Sequence, residues 1–202
     1  MKIIDCIQSS VQWHELRFGK VTASKFSAVL AKGQGKTRKS YMMQLAAEIL
    51  TGQQQDSYSN SAMEWGTEQE PNARKYYEAV NNCKVEQVGF VERDEWIACS
   101  PDGLVGDDGL IEIKCCNSTT YITTILANKM PTTHIPQVQG QLWVCERKYC
   151  DFVSYDPRVK DRPFFCKRVY RDETFIKELE VQVVMFVEEL KEMIDKLVKH
   201  EF

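Results

Sequence analysis

From residue 172 to 200, apolar side chains stand at 175, 176, 179, 183, 186, 187, 190, 194 and 197, mostly in steps of three and four. That stripe predicts a long amphipathic C-terminal helix closing over a core. Residues 9–31 read as a short helix, a break at Gly19, and a second helix whose N-cap is Thr22 or Ser24. A helix over about 40–50 is ended by Gly52, and residues 53–61 read as an exposed loop. The helical pattern of 62–80 contains Pro71, so that helix is expected to start or bend near the proline.

The period then changes from helical to alternating. Residues 83–93, 95–100 and 109–116 are short, β-rich and separated by turn residues, which predicts an antiparallel meander. Asn117 is the expected N-cap of a helix over 118–128, and Pro131 and Pro136 bound a loop leading into a helix over 137–146. Strands at 150–156 and 164–170 precede the C-terminal helix. No internal repeat is present, and this order gives an α/β fold with a mixed central sheet.

One strand breaks its own rule. The run 109–116, Gly-Leu-Ile-Glu-Ile-Lys-Cys-Cys, places Glu112 and Lys114 in an otherwise apolar segment. Residues two apart in a strand share a face, so Glu112 and Lys114 project together while Ile111 and Ile113 pack the other side. Asp102 lies in the turn Ser100-Pro101-Asp102-Gly103, and a hairpin returning through Gly109 brings it to face Glu112. Two converging carboxylates repel unless a cation lies between them, and hard oxygen ligands suit Mg2+ or Mn2+. A lysine on the same face orients a water or takes its proton. The competing reading is an ordinary turn beside a cross-strand ion pair, worth about 0.2–1 kcal/mol.

Composition narrows the classes. A formal net charge of −3 and a pI near 5.7 exclude coating of nucleic acid through overall charge and leave local basic patches. With 202 residues and a 43% hydrophobic share, a single domain over 1–202 is expected. Eight cysteines without a signal-like leader or a C-x-x-C pair read as reduced thiols, and three histidines make a zinc site unattractive. No stretch approaches a membrane span, so a soluble cytoplasmic protein is expected. Gly35-Lys36-Thr37 is not a phosphate-binding loop, because position 30 is leucine where that motif needs glycine. Lys32, Lys36, Arg38 and Lys39, with Arg158, Lys160, Arg162, Lys167, Arg168 and Arg171, line a DNA path or form solvated charge runs. Trp13, Trp65, Trp96 and Trp143 are core by default, and the alternative reading for Trp65 is a base contact at the site mouth.

Pro101-Asp102, nine residues, then Glu112-x-Lys114 resembles the signature of the PD-(D/E)XK nuclease superfamily, in its lambda exonuclease or YqaJ-like viral recombinase branch. Residues 13–24, 64–78 and 137–158 resemble further blocks of that branch in the same order. The resemblance implies a PD-(D/E)XK core, with a mixed central β-sheet flanked by helices and a long C-terminal helix. It implies Glu70, Asp102, Glu112 and the backbone carbonyl of Ile113 as ligands of about two Mg2+ ions, which Mn2+ replaces. Lys114 then positions or deprotonates the attacking water, and Gln137 orients the nucleophile or phosphate, while Glu64, Glu68 and Gln139 face elsewhere. His134 stands where the lambda relative has a tyrosine, which puts that supporting contact in question.

Arg17 and Ser24 match positions that hold a terminal 5′-phosphate. The expected helix start at Thr22–Ser24 offers free backbone N–H groups to an anion, and Ser100 adds a hydroxyl. The implied activity is 5′-to-3′ digestion of one strand of duplex DNA, releasing 5′-mononucleotides and leaving a 3′ single strand. The implied assembly is a homotrimeric ring with a single-strand annealing protein as partner, phage- or prophage-encoded, acting in a bacterial host. The rival readings are an endonuclease or iron-sulfur nuclease of the same superfamily, and a non-catalytic DNA-end binder.

Overall fold

The computed structural model describes residues 1–31, 36–54 and 61–199, without the side chains of residues 62 and 63. Lys32, Gly35, most of the expected loop 53–61 and residue 200 lie outside the described residues. The segment Gly109–Lys114 is a strand, β7, as its alternation predicts. It is central in a five-stranded sheet of order β3-β6-β7-β8-β9, where β3 is Val85–Glu86, β6 Gly103–Val105, β8 Tyr149–Tyr155 and β9 Phe164–Tyr170. All neighbours run antiparallel except β7 and β8, which are parallel. A parallel pair needs a crossover. Here it comprises α5 (Ser118–Ala127), a 3-10 turn (Thr132–His134) and α6 (Ile135–Val144).

The α/β core with mixed strand directions is present, but its strands divide into two sheets rather than one. The second sheet has order β1-β4-β5-β2, with β1 Lys2–Ile4, β4 Phe90–Glu92, β5 Ile97–Cys99 and β2 Val21–Thr22. The expected meander is therefore split. Residues 83–93 form two strands that join different sheets, and Gly89 between them lies where a Cβ would collide with the Cys6 carbonyl. The hairpin expected from Asp102 through Gly109 is present, with the segment 103–105 as β6, paired with β7.

Near the N-terminus, α1 (Val11–Arg17) is capped by Ser10, whose Oγ accepts from Trp13 N at 3.2 Å. Gly19 then breaks the chain at φ +66°. The second helix expected there is much reduced. β-branched Val21 and Thr22 pair with Ile97 and Ala98, leaving only a 3-10 turn (Ala23–Lys25) and the single turn α2 (Phe26–Val29). Next come α3 (Lys36–Thr51) and α4 (Ser61–Asn81), which runs through Pro71 instead of starting there. Asn117 caps α5 as expected, accepting from Thr120 N at 2.9 Å. The predicted C-terminal helix, α7, spans Glu173–Lys199, and Asp172 caps its first turn.

Both faces of β7 are covered, which explains its nearly continuous apolar sequence. One face joins the main core, where Leu110, Phe152, Leu142, Trp143, Phe186 and Leu190 meet. The other packs Ile111 and Ile113 with Ala73 and Tyr77 of α4 and Val153 and Tyr155 of β8. Tyr77 also donates to buried Asp151 at 2.7 Å, and Arg168 grips the same carboxylate with two bonds of 2.8 Å, tying α4 and β9 to β8.

Candidate active site

Glu112 leaves β7 on the face opposite Ile111 and Ile113, and it is only 1% exposed. A carboxylate so placed needs donors. It has three: Gln137 Nε2 at 2.6 Å and Lys114 Nζ at 2.5 Å reach Oε1, while Gln141 Nε2 at 2.6 Å reaches Oε2. The two glutamines sit four apart on α6, so one helix face delivers both amides. Gln139 points the other way, bonding Tyr170 O and Asp172 N at 2.9 Å each.

Asp102 comes from the turn that joins the two sheets, and the hairpin of β6 and β7 folds it back. Its Oδ2 accepts from Ile113 N at 2.5 Å. The turn itself is held by Gln8, which donates to Pro101 O at 2.9 Å and Val88 O at 3.0 Å. Burial, with Glu112 and Glu70 adding like charge, pushes the Asp102 carboxyl well above the usual range. Glu70 is raised too, since its burial outweighs its ion pair with Arg74 one turn along α4. Arg74 Nε reaches Asp102 O at 3.2 Å, linking α4 to the turn. Glu64 and Glu68 are exposed on the outside of that helix, as expected.

Lys114 completes the cluster. Burial alone would lower its pKa, but Glu112 and Asp102 outweigh that and hold the ammonium above the ordinary lysine range. His134 stacks on Phe152 with ring centroids 5.5 Å apart. Phe152 pairs in register with Glu112, so the imidazole borders the cluster. Burial and then Lys114 lower its pKa, opposed by Glu112.

Among the described residues, no three His, Cys, Asp or Glu side chains stand arranged to hold an ion. Each acid is turned to a donor of the chain itself: Glu70 to Arg74, Asp102 to Ile113 N, and Glu112 to two amides and a lysine. The donor set nevertheless fits a divalent cation. Carboxyl groups held at raised pKa by burial and mutual repulsion are relieved by positive charge, and carboxylate oxygens suit a hard ion.

A second cluster lies where the turn meets the N-terminal segment. Arg17 donates to Thr22 Oγ1 at 3.1 Å and Ser24 Oγ at 3.3 Å, and its guanidinium covers the Trp13 ring at 4.3 Å. Trp13 Nε1 donates to Ser100 Oγ at 2.9 Å, two residues before Asp102. The structure thus joins Arg17, Thr22, Ser24 and Ser100 through one tryptophan. It does not supply the helix N-terminus expected there, because only a 3-10 turn and four α-helical residues follow. Among the described residues, Arg17 makes no ion pair.

Residues 12–148 match the model of the YqaJ-like viral recombinase domain. The chain belongs to that family. Within the YqaJ-like fold, it is similar to an alkaline exonuclease from Laribacter hongkongensis at 42% identity and a TM-score of 0.90, over 95% of this chain and 97% of that one. The same enzyme in complex with dAMP matches equally. A phage related exonuclease from Haemophilus somnus 129PT shares the fold at 19% identity and a TM-score of 0.68, over 91% of this chain and 96% of that one. No curated protein matches the chain.

The expected basic path of this YqaJ-like domain is only partly free. Arg38 is paired with Glu189, Arg158 with Asp156, Arg168 with Asp151 and Arg171 with Glu173, so these four are committed to carboxylates of the chain. Lys36, Lys39, Lys160, Arg162 and Lys167 are exposed and make no ion pair among the described residues. Of the tryptophans only Trp143 is fully buried; Trp65 is half-buried beneath the Arg158 guanidinium, 4.4 Å from its centroid. Arg74 and Gln141 were not expected at the site. Their signal is helical spacing, each lying four residues after a carried-over position, Glu70 and Gln137.

Proposed function

We propose that this chain, acting over 1–202 as one nuclease domain, is a Mg2+-dependent exonuclease that digests one strand of duplex DNA from a 5′ end, releasing 5′-mononucleotides and leaving a 3′ overhang. The observation that carries it is the meeting of a buried carboxylate, a lysine and a glutamine amide at Glu112 Oε1, beside a second carboxylate at raised pKa. The family membership and the likeness to an alkaline exonuclease, also solved with dAMP, support the same reading.

Glu70, Asp102 and Glu112 would hold the metal, with the Ile113 carbonyl as an added ligand; Mn2+ replaces Mg2+, and the acids suffice for about two ions. A bound divalent ion supplies a nucleophilic water near neutral pH and stabilises charge on the phosphate oxygens. Lys114 would orient the attacking water through its ammonium or, as the neutral amine after giving its own proton to solvent, take that water's proton. Gln137 orients the nucleophile or the scissile phosphate. Arg17, with the hydroxyls of Thr22, Ser24 and Ser100, seats the terminal 5′-phosphate, since a guanidinium without a carboxylate partner among the described residues and beside hydroxyls is a ready anion clamp.

A homotrimeric ring and a single-strand annealing partner complete the proposal and rest on the family resemblance. The test is digestion of a 3′-labelled linear duplex bearing a 5′-phosphate or 5′-hydroxyl, with Mg2+ or EDTA, beside an uncut circular plasmid. Mg2+-dependent progressive shortening of the 3′-labelled strand from phosphorylated ends, with the circle intact, is expected, and immediate release of the label as a mononucleotide would contradict the polarity. Cutting of the circle points to an endonuclease, and binding of ends without cleavage in Mg2+ overturns the catalytic reading.

A further inference from the structure

The two glutamines on Glu112 are not equivalent. Glu112 Oε1 carries both Gln137 and Lys114, which fills its two lone-pair directions, whereas Oε2 carries, among the described residues, Gln141 alone. Gln137 is half-buried in the first turn of α6, while Gln141 is 1% exposed in its middle. Residues 139–141 are also fixed on three sides. Gln139 bonds Tyr170 O and Asp172 N, Gly140 lies so close to the Phe26 ring that a Cβ would collide with it, and Gln141 holds Glu112.

The Gln141 amide makes this contact at a cost. Its Oε1 is buried without a hydrogen-bond partner among the described residues. Flipping the amide would set its oxygen against the carboxylate, so Glu112 dictates the orientation. A side chain kept only for packing would serve as well as leucine or methionine, without an orphaned acceptor.

We propose that Gln141 is the permanent positioning residue of the site, fixing Glu112 through Oε2, while Gln137 and Lys114 are the exchangeable donors that yield Oε1 to a cation. This rests on the nuclease reading above. An ion taking a place on Oε1 must displace a donor, and the half-buried pair can move into solvent where Gln141 cannot. The two glutamines therefore divide their work: Gln141 sets cation affinity and Gln137 sets turnover.

The test compares Gln141→Met with Gln137→Met in the full chain, measuring Mn2+ binding by electron paramagnetic resonance, melting temperature, and kcat and KM on a 5′-phosphorylated duplex. Gln141→Met is expected to weaken Mn2+ binding about 10–100-fold, the usual effect of losing a group that supports a ligand. KM for DNA stays unchanged, while the metal-free melting temperature falls in both glutamine variants, because each takes a donor from the buried Glu112 carboxylate. Gln137→Met removes a donor that the cation must displace from Oε1 in any case, so it does not weaken Mn2+ binding, and it loses kcat. If Gln141→Met fails to fold, Gln141→Leu carries the same comparison. Wild-type Mn2+ affinity in the folded Gln141 variant, or equal weakening by both replacements, overturns the inference. A wild-type chain that binds no Mn2+, or a Glu112→Gln variant that binds it as tightly as wild type, overturns the nuclease reading and the inference with it.

Discussion

Asp102 Oδ2 accepts the backbone N–H of Ile113 at 2.5 Å, eleven residues further along the chain. The bond closes the hairpin of β6 and β7 at its open end and sets one carboxylate beside the residue that follows Glu112. Two acids distant in sequence thus share a site through a single backbone donor, and the functional reading grows from that contact.

Lys114→Ala is expected to lower kcat about 10²–10⁴-fold, the range for loss of a group that moves a proton at the reacting centre, and Asp102→Asn and Glu112→Gln are expected to lower it through loss of a cation-holding carboxylate. The 3′-labelled duplex assay reads this directly. Far-ultraviolet circular dichroism should be unchanged, since all three replacements preserve the strand and turn.

Metal-free Asp102→Asn should be more stable than wild type at neutral pH. The folded pKa of Asp102 is raised by burial and by Glu112 and Glu70, from an unfolded value of about 3.9. A raised acid leaves stability intact below the unfolded pKa and removes it as pH rises through the folded pKa. The melting temperatures therefore coincide in acid and separate as pH rises, with the variant higher. Saturating Mg2+ closes the gap by stabilising only the wild type. Thermal melting from pH 3 upward, with and without Mg2+, checks the sign.

Arg17→Ala is expected to abolish the preference for phosphorylated ends, raising KM about 10–100-fold on a 5′-phosphorylated duplex, the equivalent of one charge-assisted hydrogen bond. KM on 5′-hydroxyl ends should change little. Arg17→Lys should not restore the preference, because a lysine cannot bridge Thr22, Ser24 and a phosphate with one planar group.

Gly140→Ala pushes a methyl group into the Phe26 ring at the point where α6 is locked. Overpacking of this kind costs about 1–3 kcal/mol. Urea unfolding should show the loss, and kcat should fall with it, since Gln137 and Gln141 ride on the same helix.

What the sequence made legible follows from local rules. Alternation placed Glu112 and Lys114 on one face of β7, glycine and asparagine marked real helix ends, and the apolar stripe of 172–200 became α7. The pairing of strands was hidden, because residues 83–93 carry nothing local to say that β3 and β4 belong to different sheets. The helix expected after Thr22 gave way to tertiary pairing of Val21 and Thr22 with β5. At the site, the residues that matched a motif were visible, and those that support them were not. Arg74 and Gln141 act through the geometry of α4 and α6 rather than through a signature. The basic residues show the same limit, since Arg158 and Arg168 look free in sequence and are bound to Asp156 and Asp151 in space.

Anomalous diffraction from crystals soaked in Mn2+ tests the central claim most directly. The account predicts a peak bounded by the carboxylates of Asp102 and Glu112, with Glu70 drawn from Arg74 toward it. A fully loaded crystal whose Mn2+ lies elsewhere, with Glu112 still bonded to Gln137 and Lys114, would contradict it.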